Sequence, residues 1–407
     1  MKGNPVAGLD IGTTKTCAVI AVPDGEPGRR PRLEIVGVGQ ARSGGIRREV
    51  VAHIDEAAAA VRSAMREAEL MAGITVGPLW VGIGGDHLRT QSSLGVVALG
   101  DEEITREDVA EVHRVARAVA LSSDRAFLHE VAQEYLVDGR GGISDPVGMS
   151  GVRLETDVFL TSCSSSVANN IRKAVSKAGY RIQSLVPASL AAARAVLSED
   201  EKEVGVAMVG IGGSTTELVV YRDGQIRHVG ILAIGGSAVT RDLVKGLAVT
   251  FAEAERAKAL HGVASVQLAD PKEMVEVAGP SPGQTREVSV ELMAHIVEER
   301  LDELFGLVHG ELEKEGLLGE LGAGVVLTGG SAALKGIVDL ASRVFSCPVR
   351  LGTPAGLGGL AESVQRPRFA TATGLCLHWL DIVHETRERA SPPSLGGRIW
   401  RWIREFF

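Results

Sequence analysis

Two lobes of α/β character are what this sequence predicts, and three observations predict them: a length beyond one ordinary core, a strand–loop–strand unit that occurs twice, and a third glycine loop. At 407 residues the chain is too long for one core and suits two units. Apolar residues make up 45% of it, enough to fill both cores. Only 4% is aromatic while 50 residues are glycine, a balance that favours strand–turn–helix architecture over a helical bundle.

The first unit runs from Val6 to Val22, VAGLDIGTTKTCAVIAV, a strand, a small polar loop and a second strand. The second lies at Val204 to Gly224, VGVAMVGIGGSTTELVVYRDG. Aligned on Ile11-Gly12 and Ile211-Gly212, the two place Thr16 opposite Thr216, and each returns as an apolar strand to an Asp-Gly hairpin signal, Asp24-Gly25 and Asp223-Gly224. Glycine and threonine at such a turn leave backbone N–H groups outward and let a polyphosphate come close. Two hairpins face to face would grip it from both sides. Asp10 is placed to hold Mg2+ through its waters, and Lys15 to neutralise phosphate oxygens. Neither hairpin carries the GxxxxGK[ST] loop or the strand–GxGxxG–helix fingerprint.

The third loop is Val325 to Ser331, VVLTGGS, followed by a helix-like stretch Ala332 to Phe345. A buried strand ending in Gly329-Gly330 suits packing against a base or ribose. Between hairpin and loop, Glu255 and Lys258 share one face of the helical segment FAEAERAKALHG, and alone they read as a surface ion pair.

Composition also excludes. A net charge of −8 argues against nucleic acid as a partner. Four cysteines without CxxC spacing, and ten histidines without a Cys/His cluster, argue against a structural metal site. The N-terminus does not read as a signal peptide, and no apolar run approaches the roughly 20 residues of a spanning helix. The sequence is therefore read as cytoplasmic.

The order of these loops resembles the actin, sugar-kinase and heat-shock-chaperone superfamily, and within it the sequence is similar to the bacterial cell-division FtsA family over nearly its whole length. The matching stretches are HEVAQEYLVDG (His129–Gly139), DPVGMSGVRLETDVFLTSC (Asp145–Cys163), VVLTGG (Val325–Gly330) and ATATGL (Ala370–Leu375). The Val147–Arg153 run belongs to the family's inserted subdomain. The resemblance implies an actin-like two-lobed ATPase fold with an inserted α+β subdomain in the first lobe. It divides the chain into a first lobe (1–83), the insertion (84–165) and more first lobe (166–198). A second lobe (199–360) follows, with a smaller subdomain at about 247–310, and then a return to the first lobe (361–384). It implies ATP and Mg2+ in the cleft. Asp10, Gly12, Thr13, Thr14 and Lys15 would form the first phosphate loop, and Gly212, Gly213, Ser214 and Thr215 the second. Glu255 and Lys258 would reach the adenosine beside Gly329 and Gly330. It further implies filament-forming self-association and capture of the tail of the tubulin-like protein FtsZ near Arg300. Other division proteins would dock on the insertion, and the protein would sit at the septum, on the cytoplasmic side of the cell membrane.

Two departures bear on turnover. Where many relatives open the second loop with Asp, this chain has Gly210, with a later acid at Glu217. The stretch Ser184–Leu197 (SLVPASLAAARAVL) contains no Asp, Glu, Asn or Gln to orient water, and its alanines read as close helix packing. Binding with slow hydrolysis is the expectation.

At the C-terminus, residues 385–397 read as a flexible Pro/Gly tether. Beyond it, Ile399, Trp400, Trp402, Ile403, Phe406 and Phe407 fall on one half of a helix, with Arg398, Arg401 and Arg404 on the other. That is an interfacial helix for anionic lipid. Six large apolar side chains at about 1.5–3 kcal/mol each are offset by partial immersion and by ordering a short helix, so one tail binds weakly and many on a filament bind firmly. An MreB-like shape filament and a small-molecule kinase are the alternatives; the insertion opposes the first and the tail the second.

Overall fold

The structure, a computed structural model, describes residues 4–25, 31–100, 103–119, 121–281 and 283–390. The apolar strands of the first repeat form β1 (Val6–Ile11) and β2 (Lys15–Asp24), followed by β3 (Arg32–Arg42). Helix α1 (Ile54–Ala72) buries Ala57, Ala58, Val61, Ala64, Met65 and Ala68 against this hairpin. Gly39 makes the approach possible, since a Cβ there would stand 1.9 Å from the Ala64 carbonyl oxygen. Strand β4 (Leu79–Ile83) pairs parallel to β1.

The chain then leaves for a four-stranded antiparallel sheet of β5 (Arg89–Ala98), β6 (Arg125–Val137), β7 (Arg140–Ile143) and β8 (Arg153–Ser164), in the order β5-β8-β6-β7. Helix α2 (Arg106–Ala116), opened by a Thr105/Asp108 capping box, packs Val112 and Ala116 on it. Helix α3 (Ser165–Lys177) and β9 (Ile182–Pro187) return to the first sheet, and α4 (Ala188–Val196) follows. The stretch Ser184–Leu197 is thus strand, then helix. Its alanines do pack closely: a Cβ on Gly374 would lie 1.7 Å from the Ala191 carbonyl oxygen.

The second repeat gives β10 (Val206–Ile211), β11 (Thr216–Arg222) and β12 (Gln225–Leu232). After them come α5 (Gly236–Leu247), α6 (Phe251–His261), a hairpin of Met274–Ala278 with Thr285–Ser289, and α7 (Val290–Lys314), which runs past the expected subdomain limit at 310. Strand β13 (Val325–Thr328), helix α8 (Ile337–Phe345) and strand β14 (Val349–Leu351) complete the sheet. Its order, β12-β11-β10-β13-β14, reproduces β3-β2-β1-β4-β9 of the first lobe, antiparallel and parallel pairings alike. The duplicated sequence is a duplicated sheet.

Several expectations need correction. The turn at Asp223-Gly224 is a two-residue turn, with φ of 52° and 71° and Arg222 paired to Gln225. At Asp24-Gly25 it is not, because Asp24 pairs with Arg32. The helix expected from Ala332 starts at Ile337, after a single 3-10 turn at Gly330–Ala333. The return to the first lobe is under way at Gly358-Gly359, which joins β3, rather than at 361. Helix α9 (Ala370–Ala390) packs on β1 and α4, and extends through residues 385–390 that were read as tether. None of residues 385–390 is a glycine or proline, so nothing there stops a helix. Residues 391–397 and the amphipathic segment 398–407 lie outside the described residues. Among the described residues no helix is long and apolar enough to cross a membrane.

Candidate functional site

The two loops fold alike. Gly12 N donates to Lys15 O at 3.0 Å, and Gly212 N donates to Thr215 O at 2.9 Å. Ile11 pairs with Thr16 as Ile211 pairs with Thr216. They also meet, for the hydroxyls of Thr13 and Ser214 lie 2.6 Å apart across the cleft. The third loop closes from above. Gly329 has φ of 86°, and a Cβ on it would stand 2.6 Å from the Ile211 carbonyl oxygen, so the turn admits only glycine. Ser331 Oγ donates to Gly212 O at 3.3 Å.

These loops bound a cavity of about 630 Å³. Asp10, Gly12, Thr13, Thr14, Lys15, Gly212, Gly213, Thr215, Glu255, Lys258, Gly329 and Gly330 all line it; Ser214 does not, its hydroxyl being turned to Thr13. Glu255 and Lys258 do form the ion pair that their spacing suggests, at 2.7 Å, but within the cleft wall rather than on the outer surface. Lys258 is buried and also donates to Thr240 Oγ1 and Gly236 O. The Lys15 ammonium reaches to the third loop's side of the cavity, donating to Arg368 O at 2.5 Å.

Glu49 and Glu217 join Asp10 in the cavity. Glu217 faces Gly210 across the β10–β11 ladder. Glu49 comes from the turn between the short strands Ile46–Arg47 and Val50–Val51, and its carboxylate accepts from Thr215 Oγ1. Withdrawal from water pushes the Glu49 carboxyl up to about 7, against the Thr215 hydrogen bond; Asp10 and Asp86 add to the rise. Burial, then the charges of Glu49 and Asp10, push Glu217 well above the usual range. Asp10 is raised by burial and held back by Lys15. Two acids thus stand beside Asp10 in the cavity although position 210 is Gly, while Ser184–Leu197 contributes none. Spacing signals neither: Glu217 stands out only as a later acid, and Glu49 follows two arginines in an unremarkable turn.

Two other placements qualify the sequence reading. Arg300, taken as a partner-binding cation, is already engaged by Asp242 of α5 and by Glu303 one turn on. Outside the cleft, His228 of β12 and Glu311 and Glu315 at the end of α7 bring one ligand atom each within 4.8 Å of one another. The spacing that argues against a structural metal site cannot show a grouping made by packing.

The family described as "Cell division protein FtsA" matches residues 207–374, and the "SHS2 domain inserted in FTSA" matches residues 85–162. The cell division protein FtsA of Neisseria meningitidis serogroup B is 40% identical over 409 residues, covering 98% of each chain. Among solved structures, the PilM-PilN type IV pilus biogenesis complex aligns with a TM-score of 0.64 at 15% identity, over 92% of this chain and 98% of that one. MreB5 of Spiroplasma citri bound to ADP aligns with a TM-score of 0.55 at 12% identity, over 95% and 98%. At those identities the structures speak for the fold alone, which is the actin-like one. The relative at 40% identity, matched from end to end, speaks for more: this chain belongs to the FtsA family of cell division proteins.

Proposed function

We propose that the chain is an ATP-binding adaptor. It would tether filaments of FtsZ to the cytoplasmic face of the cell membrane at the division septum, through the amphipathic segment 398–407. The observation that carries the nucleotide part is the pair of matched loops, joined by Thr13 and Ser214 and facing one cavity with the lysines 15 and 258 in its wall. Their backbone N–H groups suit polyphosphate, and the glycines at 329 and 330 suit the adenosine. The cavity carboxylates fit Mg2+: one oxygen each on Glu49 and Glu217 has no partner, and Asp10 lies beside them. Bound Mg2+ would neutralise phosphate charge. The side chains of the protein hold and orient, and hydrolysis is slow because the alanine-rich α4 offers no carboxylate or amide to aim water.

Self-association would align many tails on one filament, so ATP-dependent assembly and membrane attachment rise together. The FtsZ tail would dock on the second lobe near Arg300, where the ion pair to Asp242 holds the guanidinium in place. Later division proteins would use the insertion. Co-sedimentation with anionic vesicles, with and without ATP and an FtsZ tail peptide, tests the whole reading. Binding should rise several-fold with ATP and vanish on deletion of 398–407, while ATP affinity stays within about twofold. Vesicle binding by the truncated protein would put the anchor elsewhere.

A further inference from the structure

We infer that Glu49 and Glu217, reaching into the cleft from opposite lobes, hold a divalent cation beside Asp10, Glu49 standing in for the acid that the second lobe lacks at Gly210. The inference deepens the nucleotide reading and rests on it.

The turn that carries Glu49 is costly. Ile46-Arg47 pairs with Val50-Val51, and the two turn residues, Arg48 and Glu49, have φ of 48° and 63°. Both are left-handed positions that hairpins normally give to Asn and Gly and that other residues adopt only at a cost. The conformation is fastened to both phosphate loops. Glu49 N donates to Thr13 Oγ1 at 3.2 Å, and one carboxylate oxygen accepts from Thr215. The other oxygen, Oε2, is buried without a partner. So is Oε1 of Glu217, a side chain only 9% exposed.

Both unpartnered oxygens face one place. A Cβ on Gly84 would stand 2.4 Å from Glu49 Oε2 and 2.7 Å from Glu217 Oε1. Glycine at 84 keeps that place open, and Asp10 lies close enough for its charge to act on both carboxyls. The nearby ammonium of Lys15 donates to the Arg368 carbonyl and Cys17 Sγ rather than to either glutamate. A buried carboxylate oxygen without a partner is strongly disfavoured unless a cation or donor meets it. Oxygen donors converging from several segments suit a hard divalent cation, here Mg2+ or Mn2+ beside phosphate. Because its ligands sit on different lobes, the cation ties the lobes together, as an acid confined to the second hairpin would not.

Full-length protein is titrated with Mn2+ by electron paramagnetic resonance, and ATP affinity is measured by calorimetry in EDTA and in Mg2+. The wild type should gain about tenfold in ATP affinity from Mg2+. Glu49→Gln and Glu217→Gln should lose most of that gain and bind less Mn2+. Gly84→Ala keeps every carboxylate but fills the place between them, and should lower Mn2+ binding even where a Gln variant folds poorly. An undiminished Mg2+ gain and Mn2+ signal in all three variants overturns the inference. If ATP binds in neither medium, the nucleotide reading fails by itself. The ligand-free Mn2+ signal then decides the cation site: its loss in Glu49→Gln upholds it, and equal binding overturns it.

Discussion

The two hairpins that meet in the cleft have one backbone and two chemistries. Residues Ile11 to Thr16 and Ile211 to Thr216 make the same turn with the same hydrogen bond. Asp10 in the first answers to Gly210 in the second, and Lys15 answers to Thr215. Duplication gave a symmetric grip, and the charges were then placed on one side of it. On the second side the acid arrives from elsewhere, by Glu217 on the facing strand and Glu49 from the first lobe. A repeat in a backbone therefore predicts where two loops face each other, and says little about which half carries the charge.

The sharpest way to break the comparison lies behind the loops. Gly39 and Gly230 occupy equivalent ladder positions, opposite Ala18 and Leu218. A Cβ on Gly39 meets the Ala64 carbonyl of α1 at 1.9 Å, whereas one on Gly230 meets the His228 side chain at 2.8 Å and Leu218 Cβ at an ordinary 3.7 Å. Gly39→Ala should cost about 3 kcal/mol in urea unfolding, the upper end for overpacking, and Gly230→Ala less than about 1 kcal/mol. Equal losses would mean that the helices do not distinguish the two sheets.

A second asymmetry is the insertion, which only the first lobe carries. Its His129 packs edge-on against His378 of α9, with ring centroids 5.1 Å apart. Burial, and then the neighbouring His378, push His129 down to about 4, against Glu130. A depressed imidazole is neutral in the fold, so its contribution is complete above the ordinary histidine range and is lost as pH falls from about 6.5 to 4. Relative to His129→Phe, the wild type should lose about 2 kcal/mol of stability over that interval, read from urea midpoints at each pH. Parallel curves would remove His129 as the cause.

The loops themselves give the smaller effects. Lys15→Ala should weaken ATP binding about tenfold by calorimetry, near 1.4 kcal/mol. Ser214→Ala, on the hairpin without a cation, should change it by less than about twofold, because the hydroxyl bonds Thr13 and stays out of the cavity. Comparable losses would make the grip symmetric in charge as well as in shape.

Much of the fold was legible because its signals are local. Alternating apolar strands, glycines at tight turns and Asp-Gly pairs operate over a few residues, so the two hairpins and the Gly329-Gly330 loop could be read, as could the alanine face of α4. Helix ends were less legible. Residues 385–390 look polar and loose, yet they continue α9, because none of them is a glycine or proline that would break a helix. The tail 398–407 is read from periodicity alone.

By itself the sequence determined the repeat and the three loops, with Asp10 and Lys15 on the first of them and Glu255 and Lys258 on one helix face, since spacing along the chain is what sets a strand, a turn or a helix face. Only the tertiary structure decided the rest. Glu49 meets Thr215 across 166 residues of chain, and the same closure brings Glu49 Oε2 and Glu217 Oε1 to the place beside Gly84. It also sets His228 beside Glu311 and Glu315, and Arg300 against Asp242. Such meetings depend on how sheets and helices pack. A carboxylate's neighbours, and through them its charge and its ligand, therefore belong to the folded cleft and not to the order of residues.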